Sequence, residues 1–381
     1  MHNINIHDIH TFDSGLGGLF TAKAFLNWMK DSLLSSDNNI VKILARRGHF
    51  FKITHFGDTE NSPYGNLSEG KITELTSRAL LYSFSQNAEK VFIACNTAST
   101  QWDKIKTNIP MENDVISIVD ETVENLVDKV LSIDEQNIHF GLFATRATVN
   151  SGAYPKILSD KLRNRLHKCF DVMIRENILE NKDHKNFSYG KSIIDLTPYN
   201  GGQKNTIHLN QYAPHKWVDI IEGGADVFEK YAQVNKDIEN YMNVFRDASK
   251  CSFMGLFCTH YPALGNNILQ TFGKNGLEFP LISQAEIMRQ VFETHLKKAS
   301  KKIVRLPIVY NDDLLYEAFT QKECGSIIYN VTLKNTETKK VLQTLFGNND
   351  GNTDIKVQPF SFDNFSNRFI VEMKKEGFCR T

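Results

Sequence analysis

Val91-Phe92-Ile93-Ala94-Cys95-Asn96-Thr97-Ala98-Ser99 is the stretch on which the reading of the fold turns. A short apolar run rich in β-branched and aromatic residues reads as a buried strand. It stops at a cysteine, and Thr97 onward reads as the start of a helix. The same order appears twice upstream. His10-Thr11-Phe12 ends a first strand, Asp13-Ser14-Gly15-Leu16-Gly17-Gly18 is a glycine-rich turn, and Leu19 to Met29 is a helix with Leu19, Ala22, Phe25, Leu26 and Met29 on one face. Ile53 to Gly57 is a second strand that ends at Asp58. The turn Pro63-Tyr64-Gly65 follows, and then a helix from Ser68 carrying Ile72, Leu75, Ala79, Leu80 and Phe84 at helical spacing. Repeated strand–loop–helix units indicate a parallel sheet, and in such sheets polar loops beyond the carboxyl ends of the strands are where sites lie.

The pattern restarts downstream. Val115 to Val119 reads as a strand, Thr122 to Leu131 as a helix, and Ile138 to Phe143 as a strand followed by the threonine-rich loop 144–154. Val218 to Gly224 and Met254 to Phe257 read as further strands or loop edges. The fold class is therefore α/β, with two facing α/β lobes built on mainly parallel sheets. Residues 1–118 with about 265–300 form the first lobe and 119–264 the second. The Asn-, Lys-, His-, Ser- and Gly-rich stretch of about 176–210 reads as a surface insertion. Residues 301–381 form an α+β C-terminal extension of unknown role. Its strand candidates are 303–310, 327–333 and 368–373, with a short helix at 338–346. Asn348 to Asp354 reads as a plain turn rather than a calcium loop, because the glycine offset and closing glutamate are wrong.

With 381 residues the chain is long enough for a sizeable core. Lys+Arg and Asp+Glu both total 44, so the net charge of zero offers no field to draw nucleic acid or anionic lipid. The basic run Lys297 to Lys302 reads as a solvated helix end. Apolar runs are strand-sized, too short to span a membrane, and the N-terminus lacks the pattern of a signal peptide. A cytoplasmic protein is expected. Six cysteines without a Cys-x-x-Cys pair read as reduced thiols. Cys169, Cys251, Cys324 and Cys379 read as small hydrophobes.

Chemistry concentrates in two segments. Phe257-Cys258-Thr259-His260-Tyr261-Pro262 repeats the arrangement around Cys95: an apolar run, then a cysteine, then hydroxyl and imidazole groups. Two thiols facing one pocket can remove a proton from one face of a small molecule and deliver one to the other. That is racemisation without a cofactor. A free thiol has a pKa of about 8.5, so such a site must manage its protons, and Asp13 and His260 are the nearest candidate helpers. If 258–260 are extended, His260 lies on the same side as Cys258. A zinc site of Cys95, Cys258 and His260 lacks a fourth ligand and the usual close pairs. A single-thiol nucleophile leaves the second cysteine unexplained. The glycine-rich turn fails the dinucleotide fingerprint and there is no Walker lysine, although its N–H groups could hold a phosphate or a carboxylate. Ser14, Asn96, Thr97, Thr148 and Thr259 suit carboxylate and ammonium recognition, and Glu222 could pair with an ammonium.

These motifs, in their order, resemble those of the glutamate racemases of the aspartate/glutamate racemase family. The resemblance rests on Phe12 to Leu19, Phe56-Gly57-Asp58 with Pro63-Tyr64-Gly65, Ala94 to Ser99, Ala144 to Tyr154, Ile221-Glu222-Gly223 and Cys258 to Pro262. It covers about residues 8 to 295. It implies interconversion of L- and D-glutamate without pyridoxal phosphate, metal or nucleotide, supplying D-glutamate for peptidoglycan and hence for cell-wall biogenesis and cell shape. Cys95 and Cys258 would be the paired acid and base, assisted by Asp13 and His260. Ser14, Tyr64, Gly65, Asn96, Thr97 and Thr259 would hold the substrate. Glutamate is the expected partner, no cofactor, nucleic acid or membrane is expected, and the expected assembly is a homodimer. The sequence departs from the family at Ile282-Ser283-Gln284, where an Asp-Ser-Gly step is usual, around Ala45 to Phe50, in 176–210 and beyond 300. A racemase of aspartate or another amino acid, and a regulatory binding protein on a racemase scaffold, are the competing expectations.

Overall fold

The computed structural model describes residues 5–37, 39–180, 187–223, 226–303, 327–332 and 355–360. Its strands are, in chain order, β1 (Asn5–Asp13), β2 (His49–Gly57), β3 (Lys90–Ile93), β4 (Val115–Ser117), β5 (Asn137–Ala144), β6 (Phe170–Glu180), β7 (Phe187–Pro198), β8 (Asn205–Pro214), β9 (Phe253–Phe257), β10 (Leu281–Ile282), β11 (Ile327–Thr332) and β12 (Ile355–Phe360). They form two six-stranded sheets, and the chain divides into two compact units.

The first unit comprises 1–62, 70–117 and 285–381. Its sheet runs β12-β11-β2-β1-β3-β4, with every pairing parallel. Parallel strands need crossovers, and the helices Leu19–Leu34 and Glu69–Ser85 supply them between β1 and β2 and between β2 and β3. Phe12, Phe25, Phe56 and Phe92 are fully buried. Phe292, from the helix Gln284–Ile303, stacks on Phe25 at 4.7 Å and meets Phe92 edge-on at 5.9 Å. The same packing brings the carboxyl ends of three strands level. The Asp58 N–H donates to the Asp13 carbonyl (3.0 Å), and the Ala94 N–H to the Phe12 carbonyl (2.7 Å).

The strand candidate 327–333 is borne out as β11, which pairs with β2 from Ile327↔Ile53 onward. β12, which the sequence did not suggest, extends the same edge. Residues 304–310, 338–346, 348–354 and 368–373 lie outside the described residues.

The second unit comprises 63–69 and 118–284. Its sheet, β10-β9-β5-β8-β7-β6, is mixed: β10, β9, β5 and β8 are parallel, and β7 and β6 run antiparallel beyond them. Within the stretch 176–210, expected to be a surface insertion, 176–180, 187–198 and 205–210 are instead strand. Its polar composition disguised it. Ser188, Ser192 and Asp195 are buried on β7, and the Asp195 carboxylate accepts from Arg175 Nε (2.9 Å) and Lys204 Nζ (2.6 Å). Ile193, Ile194 and Leu196 supply the apolar burial.

A second correction concerns 218–224. Trp217–Glu222 is a short helix, not a strand. A short, mainly apolar stretch does not distinguish the two, and the environment decided. Trp217 is fully buried, its ring stacks on Phe143 at 5.1 Å, and its indole N–H donates to Asp237 (2.8 Å). Among the described residues no helix is long and apolar enough to cross a membrane.

Candidate active site

In the first unit the site candidates sit where β1, β2 and β3 end. Cys95 leaves β3 in extended conformation and caps the four-residue helix Asn96–Ser99. Its sulfur accepts from the Ala98 N–H at 3.4 Å, and its thiol donates to Ser14 Oγ at 3.2 Å. Ser14 belongs to the loop after β1, where Asp13 turns its carboxylate back to accept from the Gly15 N–H (2.8 Å). Asp13 and Asp58 are fully buried, and Ser14, Asn96 and Thr97 nearly so. Asn61 Nδ2 donates to both Asp58 oxygens at 3.0 Å.

Burial pushes the Cys95 thiol up to about 12, and the Asp13 charge adds to this. The Ser14 hydroxyl and the Ala98 N–H act in the opposite direction without overcoming it. Cys95 therefore rests as a thiol, a proton donor. A cation arriving beside Asp13 would offset the charge that helps keep it so.

His55, which the sequence reading did not single out, lies directly under this loop. It is fully buried on β2, with Nδ1 2.7 Å from Thr11 Oγ1. A Cβ on Gly18 would stand 2.6 Å from both Asp13 Cβ and His55 Cε1, so glycine at 18 lets Asp13 and His55 keep their places. Burial lowers His55 to about 3, with the nearby His10 adding to the fall, so the ring is neutral.

A histidine depressed from 6.5 contributes stability that is complete above the unfolded value. That stability drains as pH falls toward the folded value. Between pH 6.5 and 3, His55 should cost the first unit up to about 1.4 kcal/mol per pH unit. We expect urea unfolding at stepped pH to show this slope, and His55→Gln to flatten it. An identical slope in the variant would rule the effect out.

In the second unit Cys258 follows β9 and is buried. The chain does not stay extended, as one reading of the sequence assumed. It turns, with the Tyr261 N–H donating to the Cys258 carbonyl at 3.0 Å. The turn brings His260 Nδ1 to 3.8 Å from Cys258 Sγ, while His260 Nε2–H donates to Glu222 Oε1 at 2.7 Å. Glu222 is the last residue of the helix that Trp217 anchors.

Burial works to lower the His260 pKa, but the hydrogen bonds to Cys258 and Glu222 and the Glu222 charge outweigh it. The ring is held well above its ordinary value. These surroundings thus favour the charged form of the ring beside the Cys258 sulfur. Thr145 caps the helix Arg146–Ser151, with its hydroxyl 2.9 Å from that of the buried Thr148. Gly65 approaches so closely that a Cβ there would stand 3.0 Å from Thr145 Cβ. Tyr64 and Thr259 are buried.

At the departure Ile282-Ser283-Gln284, Gln284 Nε2 donates to Thr122 Oγ1 (2.8 Å) and to the Tyr154 hydroxyl (3.1 Å). Asp13, Ser14, Cys95, Asn96 and Thr97 thus belong to the first unit. Tyr64, Gly65, Thr148, Glu222, Cys258, Thr259 and His260 belong to the second.

The glutamate racemase of Corynebacterium glutamicum is 23% identical over 281 residues, covering 73% of this chain and 74% of that one. The glutamate racemase of Picosynechococcus is 29% identical over 155 residues, only 40% of this chain and 46% of that protein. This chain is similar in sequence to glutamate racemases. The glutamate racemase of Francisella tularensis, solved with D-glutamate, has the same fold: its TM-score is 0.58 at 19% identity, over 94% of this chain and 99% of that one. No family model matches the chain.

Proposed function

We propose that this protein is a cofactor-independent glutamate racemase. The observation that carries the reading is the pair of buried strand-end thiols, each held in its own proton-handling network, in a chain similar in sequence to glutamate racemases. Cys95 shares its proton with Ser14 under the charge of Asp13. Cys258 faces the His260 ring, backed by Glu222. In the proposed reaction one thiolate removes the α-proton of glutamate and the other thiol protonates the opposite face. The roles reverse for the other enantiomer.

The substrate ammonium, placed near Asp13, neutralises the charge that opposes ionisation of Cys95. His260 supplies positive charge beside Cys258 as negative charge develops there. Burial of both sulfurs excludes water, so the abstracted proton can be returned rather than lost. Ser14, Asn96, Thr97, Tyr64, Gly65, Thr148 and Thr259 are the proposed substrate-holding groups. The proposed product, D-glutamate, suits a cytoplasmic enzyme, acting as a homodimer, that feeds peptidoglycan synthesis.

The test is polarimetric. L- or D-glutamate incubated with the protein and no added cofactor should lose its rotation and, in heavy water, gain deuterium at Cα. Racemisation of aspartate alone would move the assignment to that amino acid. No loss of rotation with either would refute the racemase reading.

A further inference from the structure

The second unit carries a group of ligating side chains that the proposed racemase chemistry does not use. His139 on β5 and His208 on β8 are register partners. Their rings stack at 4.2 Å with an interplanar angle of 2°. Asp247, in the connection between the helix Val227–Val244 and β9, completes the group, and one donor atom from each of the three lies within 4.8 Å of the others. They open on a hollow of about 490 Å³. His139 sits five residues before the end of β5, so the hollow is about 16 Å along the strand from the Thr145 end of the sheet.

Two features single this group out. First, His139 is only 8% exposed with Asp247 as the carboxylate facing its Nδ1, and the buried Nδ1 of His208 makes no hydrogen bond. Buried ring nitrogens left without a hydrogen bond are costly and rare. Second, Asp247 is already oriented. Its Oδ1 accepts from Asn210 Nδ2 (3.1 Å), and its Oδ2 stands 3.4 Å from His139 Nδ1. A ligating carboxylate steadied through its other oxygen is the usual outer-shell arrangement of metal sites.

We propose that His139, His208 and Asp247 form a site for a divalent transition metal of the zinc, cobalt or nickel class. Two imidazoles and a carboxylate suit these ions better than magnesium or calcium, which prefer all-oxygen sets. Ligand atoms around a tetrahedral zinc stand about 3.3 Å apart, so the two rings tilt toward each other on binding. Lys191, whose Nζ lies 3.9 Å from Asp247 Oδ2 with a side chain 37% exposed, gives way toward solvent. The bound ion ties β5 and β8 to the connection that leads into β9, and so to the strand that ends at Cys258.

The full chain, stripped with a chelator, is titrated with Co2+ alone. One ion per chain should bind, giving visible absorption without a thiolate charge-transfer band. His208→Phe keeps the ring stack and removes the nitrogen. It and Asp247→Asn should weaken binding about tenfold or more, while Cys95→Ser/Cys258→Ser leaves it intact. Zn2+ should raise the thermal midpoint of the wild-type chain but not that of His208→Phe, which separates lost binding from lost folding. Failure to take up Co2+ stoichiometrically, affinity unchanged from wild type in His208→Phe or Asp247→Asn, or loss of binding in the double cysteine variant would each overturn the site.

Discussion

Replacing either Cys95 or Cys258 by serine should lower kcat for racemisation about 10³-fold or more, within the range for removing a positioned acid–base group. A hydroxyl is a far weaker acid than a thiol. At position 95 the surroundings already push even a thiol up to about 12, so a serine there has no accessible anion. The two variants should also fail in mirror image. Each keeps one thiol, which can still remove and return a proton on a single face. Slow deuterium exchange without inversion should therefore persist for one enantiomer in Cys95→Ser and for the other in Cys258→Ser. Proton NMR in heavy water reads this directly. Full turnover in either variant, or residual exchange of the same enantiomer in both, is incompatible with the two-thiol scheme.

Glu222→Gln should reduce kcat about 100-fold and move the alkaline limb of its pH profile to lower pH. His260 is raised despite its burial because Cys258 and Glu222 favour the charged ring. Glutamine keeps a group that can accept from Nε2 but removes the charge. Burial then gains ground, and the ring loses its proton earlier as pH rises. The stability consequence has a definite sign. A histidine raised above 6.5 contributes stability that is full below that value and is lost as pH climbs through the raised folded value. Wild-type protein should therefore lose stability in the alkaline range above pH 6.5, and Glu222→Gln should show less of that loss. His260→Asn should match the kcat defect without a shifted limb, since nothing is left to titrate. An unmoved limb in Glu222→Gln would mean that the ion pair is structural only.

Cys95 and Cys258 were legible as candidates because each ends an apolar strand-sized run, and Asp13 because it closes a strand ahead of a glycine-rich turn; the carboxyl end of a parallel strand is where such a chain places polar chemistry. His260 was legible as a neighbour of Cys258, but through an extended geometry that the structure replaces with a turn. Glu222 was a weak candidate read at a strand edge. It stands at a helix end instead, because Trp217 is buried against Phe143 and bonded to Asp237, which folds the apolar run 217–221 into a helix. His55 gave no local signal. Its partner Thr11 is 44 positions away in the chain, and only the parallel pairing of β1 with β2 makes them neighbours.

The amino-acid order by itself determined the α/β class, the positions of β1, β2, β3 and β5, and the two cysteine segments. Apolar periodicity and turn residues are local, and a strand–loop–helix unit is short enough to carry both. Tertiary structure alone decided that 187–198 and 205–214 are strands, that β11 and β12 extend the first sheet beside β2, and that His139, His208 and Asp247 meet. Those outcomes depend on which strands pair across long separations. A polar residue such as Asp195 is tolerated inside only once Arg175 and Lys204 have been brought to it.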